Sequence, residues 1–102
     1  MRDPRVLRAL SAVDRVGFVP RRHASLAHRD VPVPIPHDQV TTQPSLTARM
    51  LEGLALRGPE QVLEVGTGYG FQTAVLAALC RRVWTVERWP DLAAAAREHL
   101  AA

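Results

Sequence analysis

Between residues 62 and 79 the sequence VLEVGTGYGFQTAVLAAL sets an acid, Glu64, two positions before glycines at 66, 68 and 70, and a second acid, Glu87, closes the next apolar run. Glycine at alternate positions suits one kind of chemistry. Without a Cβ the backbone can take positive φ, and ligand atoms can lie directly against the main chain. Two phosphate cradles of this type can be tested letter by letter. The dinucleotide pattern G-x-G-x-x-G requires glycine where Phe71 stands, and a phosphate loop ending in Gly-Lys-Ser/Thr requires a lysine in a chain that has none. Both patterns are excluded.

What stands here is E-x-G-x-G-x-G. A carboxylate at Glu64 would repel a pyrophosphate, yet it suits a ligand that carries an ammonium group and a sulfonium. Glu87 ends the second apolar segment, where an acid in a nucleoside-binding sheet accepts hydrogen bonds from both hydroxyls of a ribose. Together these features describe a site for S-adenosyl-L-methionine. Gly66, Thr67, Gly68 and Gly70 would lie against its methionine part, with Glu64 just before them and Glu87 on the ribose. The competing reading is a glycine-bearing turn in an unrelated α/β protein with two incidental acids.

The elements that would position these residues follow from spacing. QVLEV (61–65) and VWTVE (83–87) are short apolar strands, the first expected to be buried on both faces. FQTAVLAALC between them is a helix with Val75, Leu76 and Leu79 inward, and WPDLAAAAREHLAA is a last helix with Pro90 and Asp91 in its first turn. Strand, helix, strand, helix at this spacing predicts a βαβ unit, the start of a Rossmann-like doubly wound parallel sheet of the α/β class. Upstream, Asp3–Pro4 predicts a helix carrying Val6, Leu7, Leu10 and Val13 and ending at Gly17. VPVPIP (31–36) is extended, because a residue before proline avoids the α region, and cannot be a regular central strand. A further helix starts near Pro44, with Leu46, Met50, Leu51 and Leu54 as its apolar stripe and Gly58–Pro59 as its stop. Thr42 is placed to cap it. The chain therefore divides into an N-terminal helix and proline-rich segment, 1–43, and the first βαβα part of a cofactor-binding domain, 44–102.

Composition narrows the function classes. The basic residues are thirteen arginines with no lysine, net charge is only +3, and no aromatic interleaving accompanies the scattered arginines, so nucleic acid is not an expected partner. The single cysteine, Cys80, allows no intrachain disulfide or cysteine-pair metal site and is expected as a small core residue. His23, His28, His37 and His99 lack metal-ligand spacing, so no metal is expected and bonded or surface histidines are; His37 could also line the acceptor pocket. No membrane span or secretory leader is visible, which makes the cytoplasm the expected location. Trp84 is expected in the core. Trp89 is expected to pack beside Pro90 or to close over the edge of an adenine.

At this point the sequence resembles the protein-L-isoaspartate O-methyltransferases. VGFVPR (16–21) is similar to that family's F-V-P-R segment, AHRDVPVPI to its A-Y-x-D-x-P-L-P-I stretch, and QVTTQPSLTARM to its Q-T-I-S-Q-P signature followed by a helix. VLEVGTGYGFQTAVLA resembles its glycine loop and VWTVER its ribose-acid strand. The glycine loop is shared widely among class I methyltransferases; the Q-x-x-[ST]-Q-P segment narrows the family. The resemblance implies methyl transfer from S-adenosyl-L-methionine to the carboxylate of isomerised aspartyl residues in proteins or peptides, a protein-repair reaction. It puts Thr42 where the family has a serine beside cofactor and substrate carboxylate, with Val40 and Thr41 lining the same pocket. Threonine keeps the hydroxyl but adds a methyl and stiffens χ1. Pro36 and Asp38 stand where the family has glycines.

The fold implied by the resemblance has about seven strands, with the first one central, and only the first two are present, so the chain is expected to be truncated. An open sheet edge would invite self-association or a completing chain. Two further readings stay open: a non-catalytic remnant or accessory module that binds a partner through that edge, and a methyltransferase with another acceptor.

Overall fold

A computed structural model describes residues 3–102 of the chain. The Asp3 carboxylate accepts the Arg5 amide at 2.9 Å and opens α1, Pro4–Ala12. The helix ends well before Gly17. Asp14 acts as a second capping residue, taking the Val16 amide at 3.0 Å, and starts a separate 3-10 turn, Arg15–Phe18. Another 3-10 segment, Arg21–Leu26, leads into the proline-rich stretch.

That stretch is extended as expected, and it pairs. β1, Val33–Ile35, runs antiparallel to β2, Gln39–Thr41, with Pro34 opposite Val40. A two-stranded ribbon consists only of edges, which is where a residue without an N–H can sit.

α2, Pro44–Leu54, starts at Gln43 and not under a Thr42 cap. Its free amide at Ser45 is instead taken at 2.8 Å by the carboxylate of Asp30, which lies 15 residues earlier. The buried face of α2 also differs from the expected stripe. Thr47, Ala48 and Leu51 are buried, while Leu46, Met50 and Leu54 are exposed. The helix offers two apolar stripes, and the one with the smaller residues faces inward, where α2 meets α1.

β3, Gln61–Val65, and β4, Arg82–Val86, form a parallel pair with Val62 opposite Val83 and Glu64 opposite Thr85. Between them lies α3, Phe71–Ala77, and after them α4, Pro90–Ala101. One sheet face looks inward: Val62 and Val83 pack against the core, in which Val6, Phe18, Leu51, Phe71, Val75 and Leu76 meet. The other face is open. Leu63 is 64% and Trp84 55% exposed, with Val65 and Val86 beside them. The expectations of a doubly buried β3 and of a core Trp84 therefore fail, because a period of two puts these residues on the face that no element among the described residues covers. Cys80 is half-buried, and burial pushes its thiol above the ordinary range. No helix among the described residues is long and apolar enough to cross a membrane.

The Asp30 cap gives a pH test. The Ser45 amide stabilises the charged carboxylate and lowers its pKa from the ordinary 3.8, so the cap contributes above that value and is lost as pH falls through the lowered one. The Ser45 amide resonance is expected to titrate with a midpoint below 3.8, and Asp30→Asn is expected to abolish the titration.

Candidate functional site

The loop between β3 and α3 takes the form that its glycines permit. Gly66, Gly68 and Gly70 have φ of 93°, 58° and 98°, a region that side chains with a Cβ rarely adopt. The loop is stitched to the end of β4: the Val86 carbonyl accepts the Gly66 amide at 2.8 Å and the Thr67 amide at 3.3 Å. α4 closes on it from the other side. The His99 Nδ1 donates to the Tyr69 carbonyl at 2.9 Å, and a Cβ at Gly70 would lie 3.4 Å from Leu100 Cγ.

Glu64 lies beneath this loop, 5% exposed. Its carboxylate accepts from Gln72 Nε2 at 2.9 Å, the Thr73 hydroxyl at 2.5 Å and the Thr85 hydroxyl at 2.7 Å. Because the single Thr85 proton is committed to Glu64, the Thr67 hydroxyl must be the donor in its 2.5 Å contact with Thr85. A relay thus runs from the glycine loop through β4 to a buried carboxylate whose donors are all neutral. Charged acceptors make the stronger hydrogen bonds, and three of them offset the desolvation of a lone anion.

Glu87 stands at the edge of the same loop. One carboxylate oxygen accepts the Gly68 amide at 2.8 Å and the other the Trp89 amide at 3.0 Å. Each oxygen keeps a further lone pair.

The hairpin segment Val40–Thr42 approaches the loop from the opposite side and is fixed by a residue that the sequence did not single out. Arg15 is 3% exposed. Its guanidinium donates to the carbonyls of Arg29, Val31, Thr41 and Thr42 and, at 2.8 Å, to the Thr41 hydroxyl. Its Nε has no partner, and burial lowers its pKa. One arginine among thirteen carries no mark in the sequence that distinguishes this role.

Val40, Thr41 and Thr42 from the hairpin and Gly66, Thr67, Gly68 and Gly70 from the loop line one cleft of about 300 Å³. Thr47, Met50, Val65, Tyr69, Phe71 and Gln72, which spacing alone did not nominate, complete its wall. Glu64 does not line the cleft but supports its floor, and Glu87 holds its rim through Gly68. His37 is also elsewhere, against Trp89 and Asp91. A larger groove of about 1010 Å³ lies between α1, residues 13–30 and α2, but none of the predicted site residues line it. No group of His, Cys, Asp and Glu among the described residues could hold a metal ion. The histidines are bonded instead: His28 to Asp14 at 2.9 Å, His37 to Asp91 at 2.8 Å, and His99 to Tyr69.

Residues 1–102 match the family described as protein-L-isoaspartate(D-aspartate) O-methyltransferase (PCMT). The chain belongs to this family. Among its members, the protein-L-isoaspartate O-methyltransferase of Myxococcus xanthus is 49% identical over 100 residues, which cover 98% of this chain and 47% of the relative. That of Magnetococcus marinus is 53% identical over 98 residues, 96% of this chain and 43% of the relative. The chain therefore spans about half the length of the curated relatives it matches. A Plasmodium falciparum chain described as a beta-aspartate methyltransferase (PCMT), in complex with S-adenosyl-L-homocysteine, superposes with a TM-score of 0.85 at 24% identity, covering 98% of this chain and 48% of that one. The fold is thus the opening of a class I methyltransferase sheet preceded by a helical region, as the sequence led us to expect.

Replacing the Glu64 carboxylate tests the relay. Glu64→Gln puts an amide N–H where only an acceptor fits, and a mispaired buried group of this kind costs about 1–3 kcal/mol. Chemical denaturation should show that loss, together with faster amide exchange at Gly66 and Thr67.

Proposed function

We propose that this chain carries the cofactor-binding part of an S-adenosyl-L-methionine-dependent protein-L-isoaspartate O-methyltransferase. Its acceptor is the carboxylate of isomerised aspartyl residues in proteins and peptides, and it works in the cytoplasm. The observation that carries this reading is the meeting of two segments distant in sequence, Val40–Thr42 and Gly66–Gly70, on one cleft in a chain of this family.

The residues fit the cofactor. A Cβ added at Gly66 would meet nothing within 4 Å, so the bare main chain opens onto free space that a ligand can approach. Gly66, Thr67, Gly68 and Gly70 would hold the methionine part, and Glu87, with a lone pair left on each oxygen, would accept the ribose hydroxyls. Glu64 acts from beneath, fixing the loop and adding negative charge under a cationic ligand. When bound, S-adenosyl-L-methionine supplies an electrophilic methyl group on a sulfonium.

The chain's own task is alignment. A carboxylate with a pKa near ~4 is already an anion at neutral pH, so no general base is needed. Holding the acceptor oxygen in line can contribute on the order of 7–11 kcal/mol. Thr42, whose carbonyl is tied to Arg15, would donate its hydroxyl to the acceptor carboxylate, with Val40 and Thr41 as the adjoining wall.

One specific observation favours a second reading, an accessory module that joins a completing chain or a second copy through its sheet. The outer face of β3 and β4, with Leu63, Val65, Trp84 and Val86, is apolar and exposed. Calorimetric titration of S-adenosyl-L-homocysteine into the purified chain separates the two. The cofactor reading predicts saturable binding, weakened at least about tenfold, or ~1.4 kcal/mol, in Glu87→Ala. A folded chain that takes up no ligand would discard it and leave the accessory module.

A further inference from the structure

The turn that joins β1 to β2 is strained. His37 and Asp38 both sit in the left-handed region, at φ of 66° and 55°, a conformation uncommon outside glycine even for residues that tolerate it. The Gln39 side chain, donating to the His37 carbonyl at 3.0 Å, is a local support. The larger restraint comes from 54 residues away in sequence. His37 Nε2 donates to both carboxylate oxygens of Asp91, at 2.8 and 3.0 Å. The imidazole also lies flat on the indole of Trp89, with ring centroids 4.0 Å apart and planes 2° from parallel. The Arg88 guanidinium lies 4.7 Å from the centre of the same indole.

These contacts lie outside the lining of the cleft but connect to its rim at Gly68. Ile35, the last residue of β1, reaches the glycine loop: a Cβ at Gly68 would stand 3.5 Å from its Cδ1. The Gly68 amide is held by Glu87, and the other Glu87 oxygen takes the amide of Trp89. The hairpin turn, Trp89, Glu87 and Gly68 are therefore linked by one chain of contacts that passes through Glu87, the residue assigned above to the ribose. The His37 side chain ties the turn to the first residues of α4.

We infer that His37 is a positioning residue: by stacking on Trp89 and bonding Asp91 it latches the β1–β2 hairpin onto α4 across the nucleoside end of the cofactor cleft. The inference rests on the cofactor reading above. The latch does not touch the reacting groups. It holds Val40–Thr42 at a fixed distance from the glycine loop, and the nucleoside leaves when the latch opens, so its contribution lies in the rate of ligand release.

The test uses the full chain in a Trp84→Phe background, where Trp89 is the one remaining tryptophan and the stacked imidazole quenches its emission. His37→Asn keeps a residue that tolerates the left-handed backbone but removes the stack and the bond to Asp91, and Asp91→Ala removes the bond from the other side. In the ligand-free protein, brighter Trp89 emission is expected in both variants, with melting temperatures close to the parent. Stopped-flow dissociation of S-adenosyl-L-homocysteine should be at least tenfold faster in both, with association changed less than twofold. Unchanged emission would mean that the stack does not form in solution, and the latch is refuted. Brighter emission with an unchanged release rate would mean that the clasp does not close the ligand site, which also refutes it. A parent that binds no S-adenosyl-L-homocysteine refutes the cofactor reading and takes the latch with it.

Discussion

A buried carboxylate without a cation organises the centre of this protein. Glu64 lies on the inner face of β3 and gathers donors from α3, through Gln72 and Thr73, and from β4, through Thr85, which in turn receives the Thr67 hydroxyl. Those bonds join both strands, the helix that crosses between them, and the loop that connects strand to helix. An unpaired anion in this position would be costly, and each bond that removes the cost also fixes one element relative to another. The glycine loop keeps its shape because Glu64 holds its surroundings, whereas the glycines supply only permission for the positive φ values.

A second buried charge does the same for the other half of the cleft. Arg15 makes no direct ion pair among the described residues, although Asp30 lies close enough to favour its charge, and its guanidinium is spent on the Thr41 hydroxyl and the backbone carbonyls of residues 29, 31, 41 and 42. Loop carbonyls that would otherwise lack partners are satisfied, and Val40–Thr42 is held facing the glycine loop. The cleft is therefore set between two polar anchors, one anionic below the sheet end and one cationic behind the hairpin. The hydrophobic core of Val6, Phe18, Leu51, Phe71, Val75 and Leu76 keeps α1, α2 and α3 packed at fixed distances. Neither anchor reaches the turn of residues 36–38, which is held instead by His37 against Trp89 and Asp91.

Much of this was legible in the sequence, and the division between what was and what was not is physical. β3, the glycine turn, the helix after it, β4 and the start of α4 follow from signals within a few residues of each other: apolar runs, glycine spacing, and Pro90–Asp91 in a first turn. Asp3 capped α1 as its chemistry requires. Features that depend on distant partners were hidden. The end of α1 is set by Asp14, and the cap of α2 comes from Asp30 rather than from the neighbouring Thr42. The inward face of α2 was chosen by the fit of small residues against α1, which helical spacing alone does not specify. Trp84 is a β-residue of suitable type that lies on the uncovered face of the sheet. At the site, spacing nominated the loop glycines and Glu87, and the family resemblance nominated Val40–Thr42; Arg15, Tyr69 and Gln72 became apparent only in three dimensions.

The central claim is that the loop of Gly66, Gly68 and Gly70, anchored on Glu64, is the surface on which S-adenosyl-L-methionine rests. The chain contains six glycines, three in that loop and three outside it, at 17, 53 and 58. The most direct measurement is an NMR titration of protein isotopically labelled only at glycine, with S-adenosyl-L-homocysteine as the ligand. The account predicts that the amide resonances of Gly66, Gly68 and Gly70 move together and saturably while those of Gly17, Gly53 and Gly58 stay in place. Loop resonances that remain fixed at saturating ligand, or shifts centred on Gly17, Gly53 or Gly58, would contradict it.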